Sequence, residues 1–144
     1  LRQLDRYPGI LERRKEIIAK YDTMCDQLGV KHLIHYTTDM TSSGHLYLVR
    51  LTGATDEQRR EIISKMAERG VACNVHYKPL PMMTAYKAYG WNIKDFPNAY
   101  RLYENEITLP LHTKLSDEDV DYIIENFTEI VKEYNESSLC IVLM

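Results

Sequence analysis

Residues 44–77 read GHLYLVRLTGATDEQRREIISKMAERGVACNVHY. Across residues 45–51 the side chains alternate. One face carries His45, Tyr47, Val49 and Leu51, and the other carries Leu46, Leu48 and Arg50. Apolar residues on both faces predict a central strand covered on two sides. Thr55 followed three residues later by Gln58 is a capping box, which predicts a helix start. Ile62, Ile63 and Met66 form that helix's apolar stripe, and Gly70 after Arg69 predicts its end. Residues 71–77 alternate again, with Val71, Cys73, Val75 and Tyr77 opposite Ala72, Asn74 and His76. The stretch is thus expected to form a strand–helix–strand unit. The segment Pro79-Leu80-Pro81 then drives the chain out of the sheet.

Helices are expected on either side of this unit. Pro8-Gly9 places the start of the first one just beyond it. Ile17, Ile18, Tyr21, Met24, Cys25 and Leu28 recur at three- and four-residue steps, and Gly29 is a fitting C-terminal cap. Downstream, residues 82–90 predict a short helix ending at Gly90. Residues 97–106 predict another, with Pro97 in its first turn. Thr108-Leu109-Pro110-Leu111 reads as a short extended piece. Residues 116–134 give the clearest helix. Ser116 caps it, Asp117, Glu118 and Asp119 suit its positive end, and Val120, Ile123, Ile124, Phe127, Ile130, Val131 and Tyr134 make its stripe. The expected fold is α/β: a two-layer sandwich with a small mixed or antiparallel sheet flanked by helices.

Composition bounds the function classes. The chain has 144 residues, the usual size of one domain, and 44 % are hydrophobic, enough for a core. A net charge of −3 offers no basic field for nucleic acid. Cys25, Cys73 and Cys140 are too few and too scattered for a disulfide framework or a zinc site. Their odd number, with no secretion signal, sets the expectation of a reducing, cytoplasmic setting. Leu1 in first place hints at a piece of a longer chain. The last six residues are apolar or Cys, far short of the roughly 20 a membrane helix needs. They are expected to form a short strand, a docked tail or a disordered end.

Few residues point to chemistry. His32 and His35 stand three apart in a stretch that reads as a strand or irregular edge. They would face opposite ways there, without the partners a metal site needs. His112, after Pro110-Leu111, suits a cleft loop or an exposed one. His45 and Tyr47 share the expected strand face, where polar tips seek backbone partners. His76 and Tyr77 sit at an expected strand end, where ligand groups gather in α/β domains. No Gly-rich phosphate loop, nucleophile turn or spaced Cys-His pair is present.

Five motifs in order carry a resemblance. They are Ser43-Gly44-His45-Leu46-Tyr47-Leu48-Val49-Arg50-Leu51, then Gly70-Val71 followed by Val75-His76-Tyr77-Lys78-Pro79-Leu80, then Phe96-Pro97-Asn98-Ala99, Leu109-Pro110-Leu111-His112 and Leu115-Ser116-Asp117-Glu118-Asp119-Val120. With Glu12-Arg13-Arg14 and Tyr21 in the opening helix, the run resembles the C-terminal small domain of the DegT/DnrJ/StrS aminotransferases. It covers about residues 1–135 and leaves 136–144 as an unassigned tail. The resemblance implies a fold type I parent that uses pyridoxal phosphate (PLP), an electron sink, to pass an amino group from glutamate to a nucleotide-linked keto-sugar. It implies that the cofactor's lysine lies in an N-terminal domain, in a Ser/His-rich stretch followed by Gly-Glu-Gly-Gly. None of the nine lysines here has that context. It also implies a homodimeric parent. By the same resemblance His76 and Tyr77 line the substrate side of the cleft, and His45 and Tyr47 support it. Pro81 departs from the family's Pro-Leu-His, so the role of that histidine is not carried over.

Two other readings are distinguishable. A non-catalytic nucleotide-sugar-binding or regulatory module would bind such ligands saturably and lose them in His76→Ala. A metal-dependent enzyme built on the five histidines would hold stoichiometric metal.

Overall fold

The computed structural model describes residues 2–142, with side chains described through residue 135. Among the described residues three strands and five α-helices follow one another as α1 (Arg2–Leu28), β1 (Lys31–His32), β2 (Tyr47–Arg50), α2 (Asp56–Glu68), α3 (Thr84–Lys87), α4 (Pro97–Tyr103), β3 (Glu106–Leu109) and α5 (Asp117–Val142). The strands form one antiparallel sheet in the order β1-β2-β3. This is the small sheet with flanking helices expected of the sequence; β2 is central in the strand order, but it is covered on one face only, because Leu48 and Arg50 stay partly exposed.

Helix α1 starts at Arg2, upstream of the expected point, and contains Pro8. Residues 2–9 are exposed, so solvent serves the carbonyl that Pro8 leaves without a donor. The buried stripe is the expected one: Ile17, Ile18, Tyr21, Met24 and Cys25. Gly29 ends the helix at φ +65°, and the Val30 N–H reaches back to the Cys25 carbonyl at 2.9 Å. That is the six-to-one bond of a Schellman cap. Both bonds of the Thr55–Gln58 capping box form at the start of α2.

The second strand of the expected strand–helix–strand unit does not form. Of residues 71–77 only Asn74 pairs, with Thr108 of β3. The reason lies in the side chains. The Asn74 Oδ1 accepts the Val75 N–H at 2.8 Å, and the Glu106 carboxylate accepts the His76 N–H at 2.9 Å. Side-chain acceptors, one local and one from β3, take the N–H groups that a ladder would use. The third strand comes instead from Glu106–Leu109. It pairs Tyr47 with Leu109 and Val49 with Ile107. The helix expected over residues 97–106 ends at Tyr103, which frees those residues for the sheet.

One sheet face carries Tyr47, Val49, Ile107 and Leu109, all essentially inaccessible, against α1, α2 and α5. The α5 stripe supplies Val120, Ile123, Phe127, Ile130 and Val131 to the same core. Reciprocal Ser116–Asp119 bonds cap α5, and Arg13 of α1 bonds both Asp117 and the Leu115 carbonyl there. Helix α5 continues past residue 134 to Val142. How the side chains of the expected tail pack, and all of residues 143–144, lie outside the described residues. Gly44, at φ +58°, turns the chain into β2, where a Cβ would stand 2.9 Å from Ile18 Cδ1. The left-handed backbone and the crowding by Ile18 and Arg14 together favour glycine there.

Candidate functional site

The other sheet face is open. Leu48, Arg50, Glu106, His76, Tyr77 and Leu102 line a cleft of about 530 Å³ on it. A smaller cleft of about 180 Å³ lies alongside, lined by His45, Leu46, Asn74, His76 and Thr108. His76 borders both. The His76–Tyr77 peptide is cis, and the two rings meet edge to face at 4.5 Å. Tyr77 is 68 % exposed, so its ring stands free at the cleft rim.

His76 is anchored from below. Its Nδ1 lies 2.9 Å from the Thr108 hydroxyl, which donates in turn to Glu106. Glu106 and Thr108 are buried on an otherwise apolar strand. Burial pushes the Glu106 carboxyl above its ordinary value; the Thr108 bond, the His76 N–H and the charges of His76 and Arg59 oppose that rise. Arg59, also buried, donates to the Tyr103 carbonyl, stacks on the Tyr103 ring at 4.4 Å and pairs with Asp56. Arg50 is tied back by bonds to the Asn105 side chain and the Arg101 carbonyl. Arg50 and Arg59 are therefore held in place.

The four residues singled out from the sequence separate. His76 and Tyr77 border the large cleft, and His45 is exposed at the small one. Tyr47 is a correction. It does not share a face with His45, because the strand begins only at Tyr47 and His45 lies in the loop before it. Tyr47 is wholly buried, and its hydroxyl donates to Asp22 at 2.7 Å. Its phenol is pushed far up, chiefly by burial and next by the Asp22 bond. It offers a ligand no surface and belongs to the core.

His32 and His35 stack on Tyr47, with ring centroids at 6.1 and 5.7 Å. His32 also faces Asp22 and Asp26, while His35 bonds Ser42. Among the described residues no group of three His, Cys, Asp or Glu side chains is placed to hold a metal. His112 is exposed in the turn before α5. Glu106 and Thr108 escaped notice in the sequence; their signal was the polar half of the alternation Glu106-Ile107-Thr108-Leu109. No helix among the described residues is long and apolar enough to cross a membrane.

Beyond the cleft, residues 77–102 expose Tyr77, Leu80, Tyr89, Trp91, Phe96 and Leu102. Trp91 stacks on Tyr86 at 5.4 Å and leans on Phe96 at 6.3 Å. A monomer rarely leaves so much aromatic surface to water.

The fold, a three-stranded antiparallel sheet backed by long helices, is shared with solved aminotransferases. It overlays the Streptococcus pneumoniae protein Spr1654, designated a sugar aminotransferase, with a TM-score of 0.90 at 51 % identity, over 94 % of this chain and 34 % of that one. The chain belongs to the DegT/DnrJ/EryC1/StrS aminotransferase family, whose sequence model matches residues 1–128. Among curated relatives, the spore coat polysaccharide biosynthesis protein SpsC of Bacillus subtilis is 34 % identical over 92 % of this chain and 35 % of its own length. The UDP-4-amino-4,6-dideoxy-N-acetyl-beta-L-altrosamine transaminase of Helicobacter pylori is 26 % identical over 93 % of this chain and 36 % of its own. The chain thus spans about a third of the length of the relatives it matches.

Spr1654 has been solved in PLP and PMP forms. A lysine that holds such a cofactor covalently needs a desolvated, depressed amine. Among the described residues all nine lysines are at least partly exposed. The charge partner Asp121 even raises Lys20. No lysine of this chain sits in such a desolvated pocket among the described residues.

Proposed function

We propose that residues 1–135 form the C-terminal small domain of a PLP-dependent aminotransferase, with residues 136–144 continuing beyond it. The whole enzyme passes an amino group from an amino acid, glutamate, to a nucleotide-linked keto-sugar. PLP is held by a lysine of an N-terminal domain outside these residues, and supplies the electron sink when bound. This chain contributes a wall of the substrate cleft: His76 offers a hydrogen bond and Tyr77 an exposed ring to the sugar nucleotide, while His45 borders the adjoining space. The parent is a homodimer working in the cytoplasm.

The observation that carries this reading is the placing of His76 and Tyr77 at one cleft rim beside the exposed aromatic run of residues 77–102. A cleft that opens onto an uncovered apolar surface suits a site completed by a second domain. The sugar-aminotransferase names of the relatives support the reaction class.

The test is amino transfer by the full-length polypeptide that carries these residues, in wild type and His76→Ala. One hydrogen bond is worth about 0.5–1.5 kcal/mol. His76→Ala should therefore lower kcat/KM for the keto-sugar about 2- to 13-fold while sparing the half-reaction with glutamate. Equal kinetics in both half-reactions would remove His76 from the substrate wall.

A further inference from the structure

His76 has two ring nitrogens, and only one carries a proton in the neutral ring. Which one decides whether the cleft meets a donor or an acceptor. The surroundings of His76 settle the matter by elimination. The Thr108 hydroxyl has one proton to give. It stands between the Glu106 carboxylate and His76 Nδ1, which is 2.9 Å away. With Glu106 ionised, its carboxylate only accepts, so the Thr108 proton points to Glu106. The Thr108 oxygen is then free only to accept, and Nδ1 must be the donor. The other Glu106 oxygen accepts the backbone N–H of His76 at 2.9 Å. One carboxylate thus holds the backbone of His76 directly and its ring through Thr108. With Glu106 only 4 % and Thr108 5 % exposed, bulk water has little access to scramble the order. Among the described residues Nε2 takes no partner.

We propose that Glu106 and Thr108 are positioning residues that fix His76 in the Nδ1–H tautomer, so that Nε2 presents a lone pair at the cleft. The chain of bonds resembles the way carboxylates orient histidines at metal and catalytic sites, here with a hydroxyl interposed. A lone pair at Nε2 recognises a donor. The group it selects on a ligand is a hydroxyl or an amine, such as a ring hydroxyl of a sugar. A ketone or an unprotonated phosphate oxygen would face it lone pair to lone pair. This consequence rests on the proposed role of His76 as a ligand contact, whereas the tautomer itself does not.

The experiment is long-range proton–nitrogen correlation NMR on the ¹⁵N-labelled full chain without ligand, at a pH where His76 is neutral and Glu106 is ionised. The His76 signals are assigned by their loss in His76→Ala. In wild type the proton should sit on Nδ1. Thr108→Ser keeps the hydroxyl and should keep the tautomer. Glu106→Gln should reverse it. The Gln carbonyl stays on the His76 N–H, its NH₂ group donates to Thr108, and the Thr108 hydroxyl turns to donate to Nδ1, moving the ring proton to Nε2. Finding the proton on Nε2 in wild type overturns the proposal, and so does an unchanged tautomer in folded Glu106→Gln. The wild-type spectrum decides even if a variant fails to fold. A keto-sugar assay that finds no role for His76 would leave the tautomer result standing, so the two failures are distinguishable.

Discussion

Substituting Tyr47 by Phe separates the core from the site. The variant keeps the ring stacked near His32 and His35 and deletes one hydroxyl. That hydroxyl donates to Asp22 at 2.7 Å and also lies 3.7 Å from the Cys25 sulfur. A hydrogen bond to a charged group is worth about 1.5–3 kcal/mol. Asp22 keeps 35 % of its side chain exposed, so water recovers part of its solvation when the phenol is gone. The expected loss is therefore about 1–2 kcal/mol, or a Tm lower by about 3–8 °C for a chain of this size. Urea unfolding followed by circular dichroism measures it, with an unchanged m-value showing that the unfolded state is not altered. In the full-length polypeptide the same variant should leave KM for the keto-sugar unchanged. A Tyr47→Phe protein with wild-type stability, or one whose KM rises while its stability holds, would refute the assignment of Tyr47 to the core.

Two further outcomes follow from buried groups. Because burial raises Glu106 above its ordinary 4.5, the folded chain binds more protons there than the unfolded chain. The stability this group contributes is full below 4.5 and is lost as pH rises through the raised value. Glu106→Gln does not titrate, so its urea midpoint should gain on wild type as the pH rises from 4.5 through the raised value; a flat or shrinking gap contradicts the burial account. Burial also pushes the Cys25 thiol up to about 11 and that of Cys73 up to about 12. In a Cys140→Ser background both should resist an aromatic disulfide reagent at neutral pH until urea unfolds the chain, because only the thiolate reacts. Rapid stoichiometric labelling of the folded protein would show that those sites open.

The sequence made the helices legible because their signals are local. The Thr55–Gln58 box, the Ser116 cap and the α5 stripe each lie within a few residues, and each formed as expected. Residues 71–77 misled because alternation describes side chains and says nothing about where backbone N–H groups bond. Asn74 and Glu106 took those bonds, and Glu106 is 30 residues further on. The same distance hid Glu106 and Thr108 as partners of His76. Tyr47 was misplaced for a related reason. A shared alternation with His45 implied a shared face, but the strand starts two residues later. His76 and Tyr77 were legible as a pair beside a proline-rich exit, whereas the groups that hold them came from another element.

The most direct test of the account is reductive trapping of PLP. The full-length polypeptide carrying these residues is mixed with PLP, reduced with borohydride, digested and mapped by mass spectrometry. The account predicts one stoichiometric phosphopyridoxyl-lysine, located outside these 144 residues. A stoichiometric adduct on one of the nine lysines of this chain, in protein that transaminates, would contradict it.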